Sequence, residues 1–320
     1  MTTPPADLPT EATAALAAPL PEAELSAAEL PTAGLPEAGP RRSHGRGRAV
    51  LRRLFRSKLS GAGVLVLAVV VVAVTVGPFV WTVDPNEQDL LARSANPSAE
   101  HPLGTDSLGR DVLSRVLHGG RASLSIALVA VAVSTTIGGS IGLVAGFVRG
   151  VTDSILMRLM DVLLALPSLL LALLVSATLG PSVRNTVIAV VLPSIPADAR
   201  MVRSVVLSVR ERDFVLAARA SGVRPWRIMV RHVLANCLGT VLVMASVSLG
   251  FVLLIVAGLG FLGLGVPPPD AEWGAMLSDA STYIVSRPVV VLAPGLAIFL
   301  TALAANLTGD ALRDALDPRA

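Results

Sequence analysis

The one stretch that spells a covalent-chemistry motif is Gly138-Gly139-Ser140-Ile141-Gly142, which fits the G-x-S-x-G pattern of a serine hydrolase nucleophile. Its setting argues against that use. Ser140 falls inside residues 123–148, which are 26 uncharged residues without an acid or a histidine, and the four histidines are His44, His101, His118 and His232. Gly138, Gly142 and Gly146 recur at intervals of four, the spacing of a small-residue face in a close helix–helix contact. Packing is therefore the first reading, and an intramembrane serine hydrolase using Ser140 is the alternative. His101 and His118 are 17 residues apart with no third ligand, and Cys237 is the single cysteine, so no metal site is expected. The single lysine, Lys58, precedes Leu59, whereas a phosphate-binding P-loop needs Lys followed by Ser or Thr. If ATP is used through that motif, another chain must carry it.

Composition explains why so little chemistry is present. Of 320 residues, 53% are apolar and 15% charged, and the mean hydropathy is +0.70. Soluble domains are about 25% charged, and a globule of this size cannot bury such an apolar surplus. A soluble enzyme is excluded. The 11 aromatic residues leave too few stacking platforms for a single-strand nucleic-acid binder.

The elements that must position any site are membrane helices. Residues 1–40 hold eight prolines and six acids without Lys or Arg, which predicts a disordered tail. Residues 41–58 reverse the charge with seven Arg and one Lys, so that 1–58 forms a tail and basic juxtamembrane segment. The remainder, 59–320, divides into six apolar segments at 59–81, 123–148, 155–179, 185–206, 237–264 and 288–309, each near the roughly 20 residues a crossing helix needs. The fourth is the weakest, because its uncharged part, 185–197, is interrupted by Pro193 and Pro196. With six crossings and both termini inside, the inner segments hold 20 of the 26 Lys and Arg, as the positive-inside rule requires. The expectation is an all-α integral membrane protein, multi-pass, with the lipid bilayer as its first partner and N- and C-termini cytoplasmic.

Three polar stretches remain. In the outer segment 82–122, Thr105 or Asp106 can cap a short helix whose turn is set by Gly104. A second outer loop, 265–287, contains Asp270, Glu272 and Trp273. The inner loop near 199–236 is the most informative. Residues 214–221 suit a helix with small side chains at Ala217, Ala218, Ala220 and Ser221; Gly222 can end it in a left-handed cap, and Pro225 suits the first turn of the next. A partner surface can approach such a helix closely, and its arginines favour an acidic one; a purely topogenic loop is the competing reading. Asp161 lies inside an apolar span, which marks a candidate translocation residue, but Arg158 three positions earlier predicts a neutralised pair. The interrupted span makes Pro193, Pro196 and the neighbouring Asp198 further pathway candidates.

From His101 to Arg319 the sequence resembles the second permease subunit of dipeptide/oligopeptide/nickel ABC importers. The resemblance rests on HPLGTDxLGRDVLSR at 101–115 (His101, Gly104, Asp106, Gly109, Arg110 and Asp111), MRLMDVLLALPSLLLAL at 157–173 and AARASG at 217–222 after RERDFV. FLGLGVxPPxxxWGxML with Trp273 at 261–277 and NLxGDxLRDALDPR at 306–319 complete it. It implies six transmembrane helices and no enzyme activity on this chain. It also implies a homologous permease partner, two ABC ATPase subunits that carry ATP and Mg, and an extracytoplasmic substrate-binding protein that delivers peptides or similar solutes. In the family the inner loop is the EAA loop, whose short helix couples to the ATPase. That role would fall on Phe214, Leu216, Ala217, Ala218, Arg219, Gly222, Pro225 and Trp226. Two positions depart: Leu216 stands where the family has the glutamate of the EAA triplet, and Ala235 where it has a proline.

Overall fold

The computed structural model describes residues 58–316. The tail and basic segment expected over 1–58 lie, apart from residue 58, outside the described residues. The helices are α1 (Lys58–Val80), α2 (Val112–Val148), α3 (Gly150–Leu164), α4 (Ser168–Leu179), α5 (Val183–Arg210), α6 (Asp213–Ala220) and α7 (Pro225–Ile228). A π-helical stretch (Met229–Leu234) joins α7 to α8 (Ala235–Phe261), and α9 (Trp273–Ala280) and α10 (Pro288–Leu316) follow. Among the described residues the only β pairing is an isolated bridge between Thr105 and Asp111.

Among the described residues four helices are long and apolar enough to cross a membrane: Leu59–Val80, α2, the run Pro225–Phe261 and α10. The pair α3 and α4 makes a fifth if counted as one span. That pair corrects the expectation of a continuous helix over 155–179, since the chain bends by 80° between Leu164 and Ser168. Pro167 is the cause, because it lacks an N–H and drives the preceding residue out of helical geometry. The opposite correction applies at α5, where the helix runs unbroken through Pro193 and Pro196, both buried. Neighbouring helices hold a proline-containing helix together inside a bundle. At 28 residues α5 is about 42 Å long, but Arg184, Asp198, Arg200 and Arg203 lower its hydropathy and it is not among the helices apolar enough to cross.

Helix starts also move. α2 begins at Val112, eleven residues before the uncharged segment, and its N-cap is Asp111, which accepts from the Ser114 amide at 2.7 Å. Thr105 and Asp106 do not cap it. The Asp106 carboxylate folds back on its own turn, accepting from the amides of Leu108 (2.8 Å) and Arg110 (3.0 Å). Arg121, the last charge before the apolar run, is absorbed on the helix by donating to the Val74 carbonyl at 2.8 Å.

The closest packing is α2 against α5, and the Gly138–Gly142–Gly146 face makes it. A Cβ at Gly142 would lie 2.2 Å from the Ala199 carbonyl oxygen, and one at Gly138 2.6 Å from that of Ile195. The main core gathers Ile126, Ala127 and Ala130 of α2, Val190 of α5, Leu253 and Val256 of α8, and Trp273. A smaller core at the Arg-rich end joins Leu143, Val206, Val209, Val215, Ile228, Val233 and Cys237.

Candidate functional site

The smaller core seats the α6–turn–α7 segment. Val215 and Ile228 are fully buried and root both helices against α2, α5 and the π stretch. α6 ends in a Schellman turn: the Val223 amide donates to the Ala218 carbonyl (3.1 Å) and the Gly222 amide to the Arg219 carbonyl (3.0 Å). Gly222 sits at φ +73°, where an L side chain is strained, and nothing approaches within 4 Å of a Cβ placed there. Ala218 and Val223 close the turn over the core. Pro225 occupies the first position of α7, where its missing N–H costs nothing.

With its apolar roots buried, the segment turns an apolar face outward. Phe214, Leu216 and Trp226 are 38, 46 and 58% exposed, and Ala217, Ala220 and Gly222 are exposed between them. Arg219 is exposed too, its guanidinium 5.9 Å from the Phe147 ring centroid. This is an apolar knob with basic flanks.

The other end of α2 carries a polar platform. The Asp111 carboxylate accepts from Trp81 Nε1 (3.0 Å) and pairs with His101 Nδ1 (2.8 Å) while capping the helix. Arg110 Nε donates to Asp106 at 2.6 Å and lies 3.6 Å from Asp279, and Arg115 lies 3.7 Å from Asp106. Gly104 and Gly109, both at φ +77°, let the segment 89–96 pass; a Cβ at Gly109 would meet the Asp89 carbonyl oxygen at 1.8 Å. Trp273 is buried and donates from Nε1 to the Val116 carbonyl (2.8 Å). Next to it Glu272 caps α9 from a buried position, accepting from Ser123 Oγ and the amides of Gly274 and Ala275, each at 2.9 Å. Burial pushes the Glu272 carboxyl above the ordinary glutamate range, against the pull of those three donors. The platform is a self-satisfied clamp. Asp279 and Ser123 join it only through the fold, since their partners Arg110 and Glu272 lie far away in the chain.

The intramembrane candidates separate. Asp161 pairs with Arg200 of α5, not with Arg158, and Asp153 takes a bidentate bond from Arg203 at 2.6 Å. Two ion pairs thus tie α3 to α5, because α5 rather than the next turn of α3 supplies the nearer guanidinium. Asp198 is buried against α2, accepting from Ser134 Oγ at 2.8 Å and Thr135 Oγ1 at 3.4 Å. Pro193, Pro196 and Asp198 therefore sit in packed interior, on a helix that does not break. Ser140 is exposed and donates to the Thr136 carbonyl of its own helix at 2.6 Å, with no histidine or acid bonded to it. Among the described residues no cluster of three His, Cys, Asp or Glu could hold a metal ion.

The family model for the binding-protein-dependent transport system inner membrane component matches residues 138–320, which take in the α6–Gly222–α7 segment. The chain belongs to that family. A second model, the N-terminal TM domain of oligopeptide transport permease C, matches residues 45–97. The permease is 40% identical over 272 residues to a dipeptide transport system permease of Alkalihalophilus pseudofirmus, covering 85% of this chain and 90% of the relative. It is 46% identical over 263 residues to a di/tripeptide transport system permease of Pseudomonas aeruginosa (80% and 87%). To a nickel transport system permease of Escherichia coli it is 43% identical over 235 residues (73% and 85%). It is a multi-pass inner-membrane permease of an ABC importer, a transport subunit and not an enzyme, and nothing supports a hydrolase at Ser140.

Proposed function

We propose that this permease forms, with a homologous permease, the pathway for peptides or similar small solutes handed over by an extracytoplasmic binding protein. Two ABC ATPase subunits, holding ATP and Mg, drive it through the α6–Gly222–α7 knob. α5 is the sixth crossing, and both termini face the cytoplasm. The observation that carries the coupling role is the division of labour in the knob: Val215 and Ile228 are rooted in the core while Phe214, Leu216 and Trp226 face out. Leu216, in place of a carboxylate, makes this contact apolar. A topogenic loop would need its arginines but not its Schellman turn. Peptide cargo is favoured by the dipeptide and di/tripeptide permeases among the relatives, and the nickel permease keeps a metal-complex cargo as the second reading.

Gly222→Asp tests the coupling role. The open space around Gly222 means the new side chain meets nothing of this chain, so its internal cost is the left-handed strain alone, about 1–2 kcal/mol. A charge driven into a desolvated contact adds more. ATPase recovery in a pull-down should fall at least tenfold, roughly 1.4 kcal/mol, with unchanged membrane insertion. Equal recovery and equal substrate-stimulated hydrolysis would leave the loop a topogenic role only.

A further inference from the structure

We propose that the cavity behind the knob binds the phosphate headgroup of an anionic phospholipid. The cavity, about 480 Å³, opens between the last turn of α2 (Phe147, Val148), the end of α5 (Arg210) and the knob itself (Arg219, Val223, Ile228).

Its charge is unbalanced. Arg210 donates from one terminal nitrogen to the Phe147 carbonyl at 2.6 Å, but its Nε is buried with no hydrogen-bond partner among the described residues. A buried donor on a cation is costly to leave unmade. Arg219 stands beside it over the Phe147 ring. Arg149 and Glu211, 3.7 Å apart, lie near Arg210 outside the cavity lining, so the three arginines have one carboxylate among them. An anion that accepts from Arg210 Nε and Arg219 completes the set, and a phosphate diester with two unesterified oxygens suits two forked guanidinium groups.

The walls decide the source of the phosphate. Phe147, Val148, Val223 and Ile228 are apolar, which a hydrated inorganic phosphate leaves unfilled but the glycerol and first acyl carbons of a lipid cover. Val148 ends an apolar crossing helix and is 55% exposed, at the depth where headgroups lie. Anionic headgroups are also concentrated at the basic, cytoplasmic face assigned to this end. The bound lipid would brace the knob against α2 and α5 from behind, on the side opposite its outward face.

The test is lipid retention by the detergent-purified full-length chain, counted by native mass spectrometry with phosphatidylglycerol or phosphatidylcholine added. Wild type should hold one phosphatidylglycerol at least tenfold more tightly than phosphatidylcholine. Arg210→Gln and Arg219→Gln should each cut that preference at least fivefold, and Arg184→Gln, at the far end of α5, should not. Arg219 is exposed, so its variant remains informative if Arg210→Gln fails to fold. Equal retention of the two lipids, or a preference that survives both substitutions, would overturn the site. Displacement by inorganic phosphate would make free phosphate the ligand, and displacement by the ATPase subunits would give the cavity to a protein carboxylate; either result refutes the lipid.

Discussion

Replacing Gly142 by alanine adds one methyl group to a helix, and in isolation would stabilise it by about 1 kcal/mol. Here it should do the reverse. The new Cβ would stand 2.2 Å from the Ala199 carbonyl oxygen and 2.9 Å from the Arg203 amide nitrogen, both backbone atoms of α5 that cannot rotate away. Ordinary contact begins at 3.4 Å, so α5 must withdraw by 1.2 Å at this point. Overpacking of this kind costs about 1–3 kcal/mol. A gap of 0.5–1 Å then forfeits about a quarter to a half of each neighbouring dispersion contact, along a seam that includes the close approaches at Gly138 and Gly146. Gly139 supplies the control, because its Cβ would meet only Val202 Cγ2 at an ordinary 3.8 Å. The helix-propensity gain is common to both, so Gly142→Ala should be less stable than Gly139→Ala by about 2–3 kcal/mol. Thermal unfolding of the two full-length variants in the same detergent, followed by tryptophan fluorescence, reads the difference. Matching midpoints would mean that α2 and α5 are not in backbone contact through this face.

Two further outcomes follow from the platform and from the charge distribution. The raised Glu272 carboxyl favours the proton in the folded state, so its contribution to stability is full below the unfolded value and is lost as pH rises through the higher folded value; Glu272→Gln should flatten that decline above the ordinary glutamate range, and an unchanged slope would mean that the carboxyl stays ionised. A cysteine at Ser107 should label with an impermeant thiol reagent in intact cells and one at Ser221 only after permeabilisation, against a native Cys237 that is buried and silent; labelling of both in intact cells refutes the six-crossing orientation.

Hydropathy and short-range spacing determined a great deal by themselves. Uninterrupted apolar runs locate α1, α2, α8 and α10, because lipid demands about 20 such residues whatever they pack against. Gly222 and Pro225 mark the helix–turn–helix of the knob, since a left-handed cap and a first-turn proline are local backbone requirements. The four-residue glycine spacing names a packing face for the same reason. The third dimension decided the rest. Pro167 breaks its span while Pro193 and Pro196 do not, a difference set by the neighbours buried around α5 and invisible in three prolines of identical covalent structure. Asp161 finds Arg200, 39 residues away, instead of Arg158 one turn back, and Asp111 caps α2 while the Thr105 hydroxyl is taken up by the backbone of Ala92 and Ala95 and Asp106 by its own turn. Partners of charged groups are chosen by distance after the helices have packed, and sequence separation carries no information about that distance.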